Sequence, residues 1–466
     1  MVLLKNAKKS LPAFNSLQRG LSSRHIGLIA LGGIIGSSYF LGTGYLLNEV
    51  GPCAFLAYVL GGIISYLTLA CLAELAVASP SQGSFVHAAA THVSSSWACG
   101  VGWSYWCSWV IFIPSECIGG GIIMNSFVPG VPIYIWALFF GLVISLCNIF
   151  PVKIFGESEF WLALCKIVLI VGFCLISFCI IFGWMGSPKY SFEQAQFLES
   201  VKGLFPNGYS VLFFNMVILM ANFQGSEIIG LTASEAHHPE IAVPKSLRKV
   251  SYRIIGLYII PTFLLGLLLP WQEAGLATNA FSEALEKYGL TTFASIFSFV
   301  IITGAISSAN SGVYATIRTL LALAERGMAP TFFRRISVSG VPVFATIFTL
   351  IAVWGLLFFS VFGSADSIYA KLLAISGFTG SICWISICWS QLHFRRHFKE
   401  VGAKLTYRMP LYPYLTHFAI WLQVFILLVV LWNPDTRVSF YFGCPAVVVP
   451  IVLYKYFAKK RTKLNF

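Results

Sequence analysis

The stretch LIALGGIIGSSYFLGTGYLL, residues 28–47, is long and apolar enough to cross a bilayer, but glycine and serine interrupt it at residues 32–38. A second apolar run, residues 211–233, is interrupted in the same way by NFQGSE at residues 222–227. Such residues fit the middle of a bilayer only where a helix unwinds and its freed N–H and C=O groups bind something other than lipid. Two broken spans at corresponding places in two halves of a chain are typical of secondary transporters, where they mark the substrate site.

The composition places the whole chain in the membrane. Charged residues make up only 10% of the 466 residues and hydrophobic ones 58%, which excludes a water-soluble protein of this size. Runs of about 20 apolar residues predict twelve spans, near 26–48, 53–79, 97–127, 132–150, 159–184, 207–235, 252–270, 292–323, 342–362, 367–390, 412–432 and 438–457. We therefore expect an all-α integral membrane protein with discontinuous helices 1 and 6.

The distribution of basic residues predicts the topology. Lys and Arg cluster in alternate connections, within residues 5–24, 245–253, 326–335, 395–408 and 455–463. By the positive-inside rule both termini are cytoplasmic, in a multi-pass protein of the cytoplasmic (inner) membrane. The net charge of +13 is then a topology signal, and with no nucleic-acid motif beside it we expect no nucleic-acid partner.

The two breaks also predict an internal organisation. We expect a cytoplasmic N-terminal segment at 1–25 and a transport core at 26–390, built as a 5+5 inverted repeat (LeuT-like) from about 26–184 and 207–390. A cytoplasmic loop at 391–411, two additional helices at 412–457 and a cytoplasmic tail at 458–466 complete the chain. The odd number of spans per half forces the two halves into opposite orientations.

No pattern in the chain predicts an enzyme, a cofactor or a metal site. All twelve cysteines lie inside the predicted apolar spans and no Cys-x-x-Cys occurs, which is the pattern of small packing residues. His237 and His238 have no further histidine or cysteine nearby in the sequence. A nucleotide-binding Gly-x-x-x-x-Gly-Lys-Ser/Thr loop is also missing from the sequence, so it carries no sign of an ATP-driven pump.

Several local strings resemble the amino acid–polyamine–organocation (APC) superfamily. They include ALGG at 30–33, GWSYW at 102–106, FGE at 155–157, QGSE at 224–227 and NSG at 310–312. Within that superfamily the strings are similar to the amino acid transporter (AAT) family, which includes bacterial lysine-specific permeases. The resemblance covers spans 1–10 and implies carriage of an amino acid.

The first break is a candidate site for a carboxylate. Bare N–H groups at the positive end of a half-helix suit an anion, and the resemblance implies that the substrate carboxylate docks here. The candidates are Gly33, Ile34, Ile35, Gly36 and Ser37. The alternative is a packing face of small residues. The next residue is usually glycine in the family and is Ser38 here, where a side chain would narrow the pocket.

The second break is the candidate site for the substrate ammonium group. Phe223, Gln224 and Gly225 would expose carbonyl oxygens to it. Glu227 is an ionisable group inside the membrane, where such groups are costly and functional. Two roles fit Glu227, an anchor for the unwound backbone and a direct partner of the amine; a protonated glutamate bridging helices is the alternative. Glu235 fits an inner gate, a proton relay or a solvated helix end.

Lys166, about seven residues into span 5, is the candidate proton-coupling group. A desolvated lysine can exchange its proton during a transport cycle. The resemblance implies that a lysine here replaces the sodium ion of sodium-coupled relatives. The alternative is a lysine that extends its ammonium group to the cytoplasmic surface.

Aromatic and polar side chains on two further spans complete the candidate site. Tyr105 and Trp109 lie one helical turn apart on span 3, either as walls of the substrate cavity or as part of an interfacial belt. Span 8 carries a polar cluster that fits interhelical hydrogen bonds, contact with Lys166 or a pocket lining. Its members are Ser307, Ser308, Asn310 and Ser311.

The expected function is secondary active uptake of an amino acid by alternating access, with a proton as the coupling ion and the lipid bilayer as surroundings. Aromatic walls favour a cationic or aromatic side chain, while small neutral ones stay open. An amino acid or amine exchanger is the first alternative. A non-transporting amino acid sensor is the second.

Overall fold

The computed structural model describes residues 35–78, 84–148, 152–186, 203–228, 256–275, 279–337, 342–397, 405 and 407–464, with the backbone alone at 84, 152–158 and 460–464. Within these ranges the regular secondary structure is helical and no strand occurs. The helices in chain order are α1 Ser37–Val50, α2 Ala54–Ala78, α3 Ser84–His92, α4 Ser95–Phe127, α5 Ile133–Cys147, α6 Val152–Ile181, α7 Tyr209–Phe223, α8 Gly256–Leu268, α9 Ala280–Lys287, α10 Thr291–Glu325, α11 Val343–Phe359, α12 Ala365–His397, α13 Tyr414–Val429 and α14 Val438–Leu464.

The predicted spans correspond to these helices. Each of the twelve apolar runs overlaps one of them, and the short α3 and α9 lie in connections between runs. Eight helices in the described ranges are long and apolar enough to cross a membrane by length and composition. Others, such as α5, α7 and α8, are shorter apolar helices. The all-helical membrane architecture is confirmed, and the number of twelve spans stays a prediction.

Both predicted interruptions coincide with helix ends. Helix α1 begins at Ser37, directly after Gly36, whose backbone is extended at φ −114° and ψ −170°. Helix α7 ends at Phe223, and Gly225 beyond it has φ +104°, a conformation that favours glycine because it lacks a Cβ atom. The described part of the second run ends at residue 228. One helix therefore begins directly after Gly36 at the first break, and another ends two residues before Gly225 at the second.

The core of the protein lies around the two long helices α4 and α12. Helix α4 packs extensively against α10 and α12, and α12 packs in turn against α7. Both long helices are buried along most of their length. Helices α11, α13 and α14 instead turn large apolar side chains outward, among them Ile351, Trp421 and Val452, as expected for surfaces that face lipid.

Close packing of α7 on α12 depends on Gly377. A Cβ atom at this position would collide with the carbonyl oxygen of Val217 on α7. Since a backbone atom cannot move aside like a side chain, we expect Gly377→Ala to destabilise the protein by about 1–3 kcal/mol, the usual cost of overpacking. Thermal unfolding of the purified protein in detergent measures this loss.

Gly355→Ala on α11 is the matched control, because a Cβ atom there meets nothing within 4 Å. We expect it to change stability by less than about 0.5 kcal/mol. Equal melting temperatures for the two variants would contradict the close approach of α7 and α12.

Candidate functional site

One face of helix α4 connects the two breaks. Tyr105, Trp109 and Glu116 follow each other at spacings of four and seven residues, which places them on one side of an α-helix over about 16 Å. All three side chains are buried. Glu116 hydrogen-bonds to the first break and Tyr105 to the second, as the distances below show.

At the first break, the carboxylate of Glu116 caps the N-terminus of α1. Its Oε2 accepts hydrogen bonds from the backbone N–H of Ser37 at 2.7 Å and from the Ser37 hydroxyl at 2.8 Å. Its Oε1 accepts one from the backbone N–H of Ser38 at 3.1 Å. An anion at the positive end of a helix is stabilised both by the N–H donors and by the helix dipole.

Glu116 was not among the residues predicted for the site. The available signal is a carboxylate in the apolar run 97–127, because an intramembrane ionisable residue is a candidate functional group by default. Its position on the helix N-terminus is where the sequence predicts a carboxylate to bind. The chain thus supplies an internal carboxylate to its own predicted anion site.

The surroundings of this cap are tight and polar. A Cβ atom on Gly36 would lie 2.5 Å from Glu116 Oε1, so a side chain there would displace the carboxylate. The hydroxyls of Ser38 and Tyr369 are buried and lack a hydrogen-bond partner within the described ranges. Of the other residues predicted here, Ile35 is buried, while Gly33 and Ile34 lie outside the described residues.

At the second break, Glu227 accepts hydrogen bonds from α4, from α12 and from the backbone of the break itself. Its Oε1 accepts from the Tyr105 hydroxyl at 2.8 Å, and its Oε2 from the indole N–H of Trp384 on α12 at 3.0 Å. The backbone N–H of Gly225 lies 3.1 and 3.2 Å from the two oxygens. These contacts fit an anchor for the unwound backbone, and the bonds to α4 and α12 equally fit the helix-bridging alternative, so the role of Glu227 stays a prediction. Trp384 was not among the predicted site residues.

Gln224 attaches the same break to α4 and α12. Its Oε1 accepts from the Ser108 hydroxyl at 2.8 Å and its Nε2 donates to the Ser376 carbonyl at 2.8 Å. Its side-chain amide is therefore engaged in helix contacts. The carbonyl of Phe223 accepts from the Ser226 hydroxyl at 3.2 Å and that of Gly225 from the N–H of Ile228 at 3.0 Å.

A network of tyrosines joins α1, α2, α7 and α8 beside the breaks. Tyr58 shares a hydrogen bond of 2.6 Å with Thr43 and accepts one of 3.0 Å from the Asn222 side chain. Tyr258 donates to the Asn222 carbonyl at 2.9 Å, and its ring packs edge-on against Phe223. These contacts tie the four helices together next to the end of α7.

Lys166 lies in a buried polar chain between α6 and α10. Its Nζ donates to the Ser307 hydroxyl at 2.7 Å, and that hydroxyl donates to Oε1 of Glu159 at 2.5 Å. All three side chains are at most 1% exposed. Lys166 thus does not extend to the surface in this structure. Glu159 is a further group that the predicted site residues did not include, although it stands seven residues before Lys166 on the same helix face.

The remaining predicted residues have separate surroundings. Asn310 accepts a hydrogen bond of 2.6 Å from Asn148, so its side chain turns toward α5. Ser308 and Ser311 are buried on α10, and the Ser311 hydroxyl lacks a hydrogen-bond partner among the residues described. The Trp109 ring lies against Gly312 of α10. Glu235 lies outside the described residues.

Comparison with a solved structure identifies the fold. The crystal structure of a manganese transporter from Eremococcus coleocola, in complex with an aromatic bis-isothiourea substituted compound, matches with a TM-score of 0.58 over 98% of both chains. Only 12% of the residues are identical, so the likeness is one of fold. The chain has the LeuT-like, 5+5 inverted-repeat fold of multi-pass membrane proteins.

Sequence comparison then gives the family. The family model described as amino acid permease matches residues 25–465. The amino-acid permease RocC of Bacillus subtilis is 37% identical over 454 residues, covering 96% of each chain. The lysine-specific permease LysP of Lactococcus lactis is 34% identical over 429 residues, covering 88% of this chain and 83% of LysP. The chain belongs to the amino acid permease family, as the resemblance of its motifs implies.

Proposed function

We propose that this permease takes up an amino acid across the cytoplasmic membrane by alternating access, driven by a proton gradient. The observation that carries the proposal is the face of α4 that hydrogen-bonds to both helix breaks, through Glu116 at the first and Tyr105–Glu227 at the second. Unwound backbone at a repeat interface offers both signs of partial charge over a short distance, as an α-amino acid requires.

In this proposal, the substrate carboxylate binds the N–H groups of the first break, within residues 33–37. The ammonium group binds carbonyl oxygens of the second break at Phe223, Gln224 and Gly225. Each carbonyl oxygen has two lone pairs, so those that already accept one hydrogen bond retain an acceptor site. Glu227 holds this backbone in its unwound shape and adds a negative charge near the ammonium group.

The buried rings of Tyr105 and Trp109 support a cationic or aromatic side chain in the substrate. An aromatic ring can stack on them, and a cation is attracted to their faces. LysP carries lysine in its name and shares 34% of its residues with this chain, which supports the cationic option.

For coupling, we propose that Lys166 exchanges a proton during the cycle through its contact with Ser307 and Glu159. Ser308 and Ser311 would shape the α10 side of the site, and Glu235 would act closer to the cytoplasm.

For the conformational change, the tyrosine network supports movement of α1, α2, α7 and α8 as one body against the remaining helices. A hydrogen-bonded group of helices resists internal deformation, so a rocking motion shifts the contacts at its border first. With both termini in the cytoplasm, as the basic residues predict, the motion would expose the site to each side in turn.

Uptake into proteoliposomes tests the function. Purified protein is reconstituted with an empty lumen and given a panel of labelled amino acids, with and without an inward proton gradient. We expect accumulation of one side-chain class that depends on the gradient. Uptake only after preloading with amino acid would make the protein an exchanger, and no uptake of any amino acid would contradict the proposal.

A further inference from the structure

The Glu116 carboxylate occupies hydrogen-bond donors at the first break. We infer that ionised Glu116 occupies the N–H groups that the substrate carboxylate needs, and that its protonation releases them, so that amino acid and proton bind together. The inference rests on the proposed function and adds to it the group that takes up a proton when the amino acid binds. The proton exchange proposed for Lys166 then belongs to a later step of the cycle, so Lys166→Met can lose gradient-driven uptake and still take up a proton on binding.

The donors at the start of α1 are already used by this one carboxylate. Both backbone N–H groups, of Ser37 and Ser38, and the Ser37 hydroxyl donate to Glu116 at 2.7–3.1 Å. The carboxylate also lies directly against Gly36, where an added Cβ atom would lie 2.5 Å from Oε1. A substrate carboxylate can reach the same N–H groups only if Glu116 gives up some of them.

Charge makes the competition dependent on pH. Two carboxylates on one set of donors repel each other, so a pair in a buried site keeps one proton between them. Protonation of a Glu116 oxygen removes its negative charge, and no bond other than the new O–H is made or broken. The neutral carboxyl holds N–H donors less strongly than the carboxylate, because hydrogen bonds to ionised acceptors are roughly twice as strong.

Other titratable groups lie within electrostatic reach of Glu116. They are Lys166 on α6, Tyr258 on α8, Tyr369 on α12 and the neighbouring Cys117 on α4. Lys166 is the cation among them, and through Ser307 it also contacts Glu159. Lys166 is therefore the alternative carrier of the linked proton, and the test must separate it from Glu116.

The site also contains groups that can receive the released carboxyl. The hydroxyls of Ser38 and Tyr369 are buried and have no hydrogen-bond partner among the described residues. Both belong to the surroundings of the cap, since Tyr369 and Ser37 meet at Gly119. A protonated Glu116 needs an acceptor for its new O–H, and either hydroxyl can accept one.

Calorimetric titration in two buffers of different ionisation enthalpy counts the protons taken up per bound amino acid. The probe is the amino acid with the highest uptake in the panel, titrated into purified protein over a range of pH. We expect wild-type protein to take up as much as one proton per amino acid, with Kd rising about tenfold per pH unit in that range. Glu116→Gln should bind without proton uptake and with a Kd independent of pH.

Two further variants make the result specific. Glu116→Asp keeps a titratable group, so it should retain proton uptake on binding. Lys166→Met leaves Glu116 in place, so it should retain that proton uptake as well. If wild-type protein binds the amino acid and takes up no proton, the inference is overturned and no variant is needed. The proposed function would still stand. Proton uptake that persists in Glu116→Gln and disappears in Lys166→Met would also overturn it. Absence of binding to wild-type protein would overturn the proposed function, and this inference with it.

Discussion

We expect Glu227→Gln to reduce amino acid uptake at least about tenfold, in a protein that still folds and inserts. Hydroxyl, indole and backbone donors of three residues converge on this carboxylate, at 2.8–3.2 Å. A glutamine removes the negative charge and replaces one of the two acceptor oxygens with an NH2 group. Hydrogen bonds to a charged acceptor contribute about 1.5–3 kcal/mol and those to a neutral acceptor about 0.5–1.5 kcal/mol, so the donors hold the glutamine less strongly. We expect the unwound backbone to shift and its carbonyl groups to lose their position for the ammonium group.

Matched variants locate the cause of that loss. Tyr105→Phe and Trp384→Phe each remove one donor and leave the carboxylate in place, so we expect smaller reductions from each than from Glu227→Gln. Glu286→Gln on the exposed side of α9 makes the same chemical change where no such cluster exists, and should transport as wild type does. Initial uptake rates, normalised to protein that elutes as one species, are compared. Undiminished uptake by Glu227→Gln would remove the anchor role.

The interruptions of the two spans were predictable because the local sequence determines them. Gly36 lies in the interruption of the first apolar run, directly before α1 begins. Gly225 takes a backbone conformation that other residues rarely adopt. The effect of a glycine on its own backbone can be predicted without knowledge of the rest of the fold. Hydropathy is also a local property of the sequence, so it predicted the all-helical membrane architecture.

The partners of the site residues were not predictable in this way. The hydrogen bond between Glu116 and Ser37 joins residues 79 apart in sequence, and that between Trp384 and Glu227 joins residues 157 apart. Such pairs depend on the rotation and register of packed helices, which no local pattern specifies. Asn310 illustrates the limit, because it lies in the predicted polar cluster and yet turns toward Asn148 on α5. The functional role of each site residue stays a prediction until transport is measured.

Lys166→Met should both weaken the fold and remove the dependence of uptake on the proton gradient. The ammonium group, the Ser307 hydroxyl and Glu159 form one buried chain, with links of 2.7 and 2.5 Å. Removing one member of a buried charged pair leaves the other without compensation, at a cost of about 3–5 kcal/mol. Methionine keeps the length of the side chain while it abolishes the charge and the donors. Thermal unfolding and initial uptake at several external pH values measure the two effects.

The double variant Lys166→Met with Glu159→Gln separates stability from coupling. It removes both charges of this chain, so Glu159 no longer stays buried as an ion without Lys166, and we expect it to recover most of the stability that Lys166→Met loses. Transport should remain insensitive to the gradient in both variants, because the ammonium group that exchanges the proton is missing from each. Recovery of the pH response together with the stability would assign Lys166 a structural role alone. A pH response retained by Lys166→Met itself would place the coupling proton elsewhere, with Glu116 as the next group to vary.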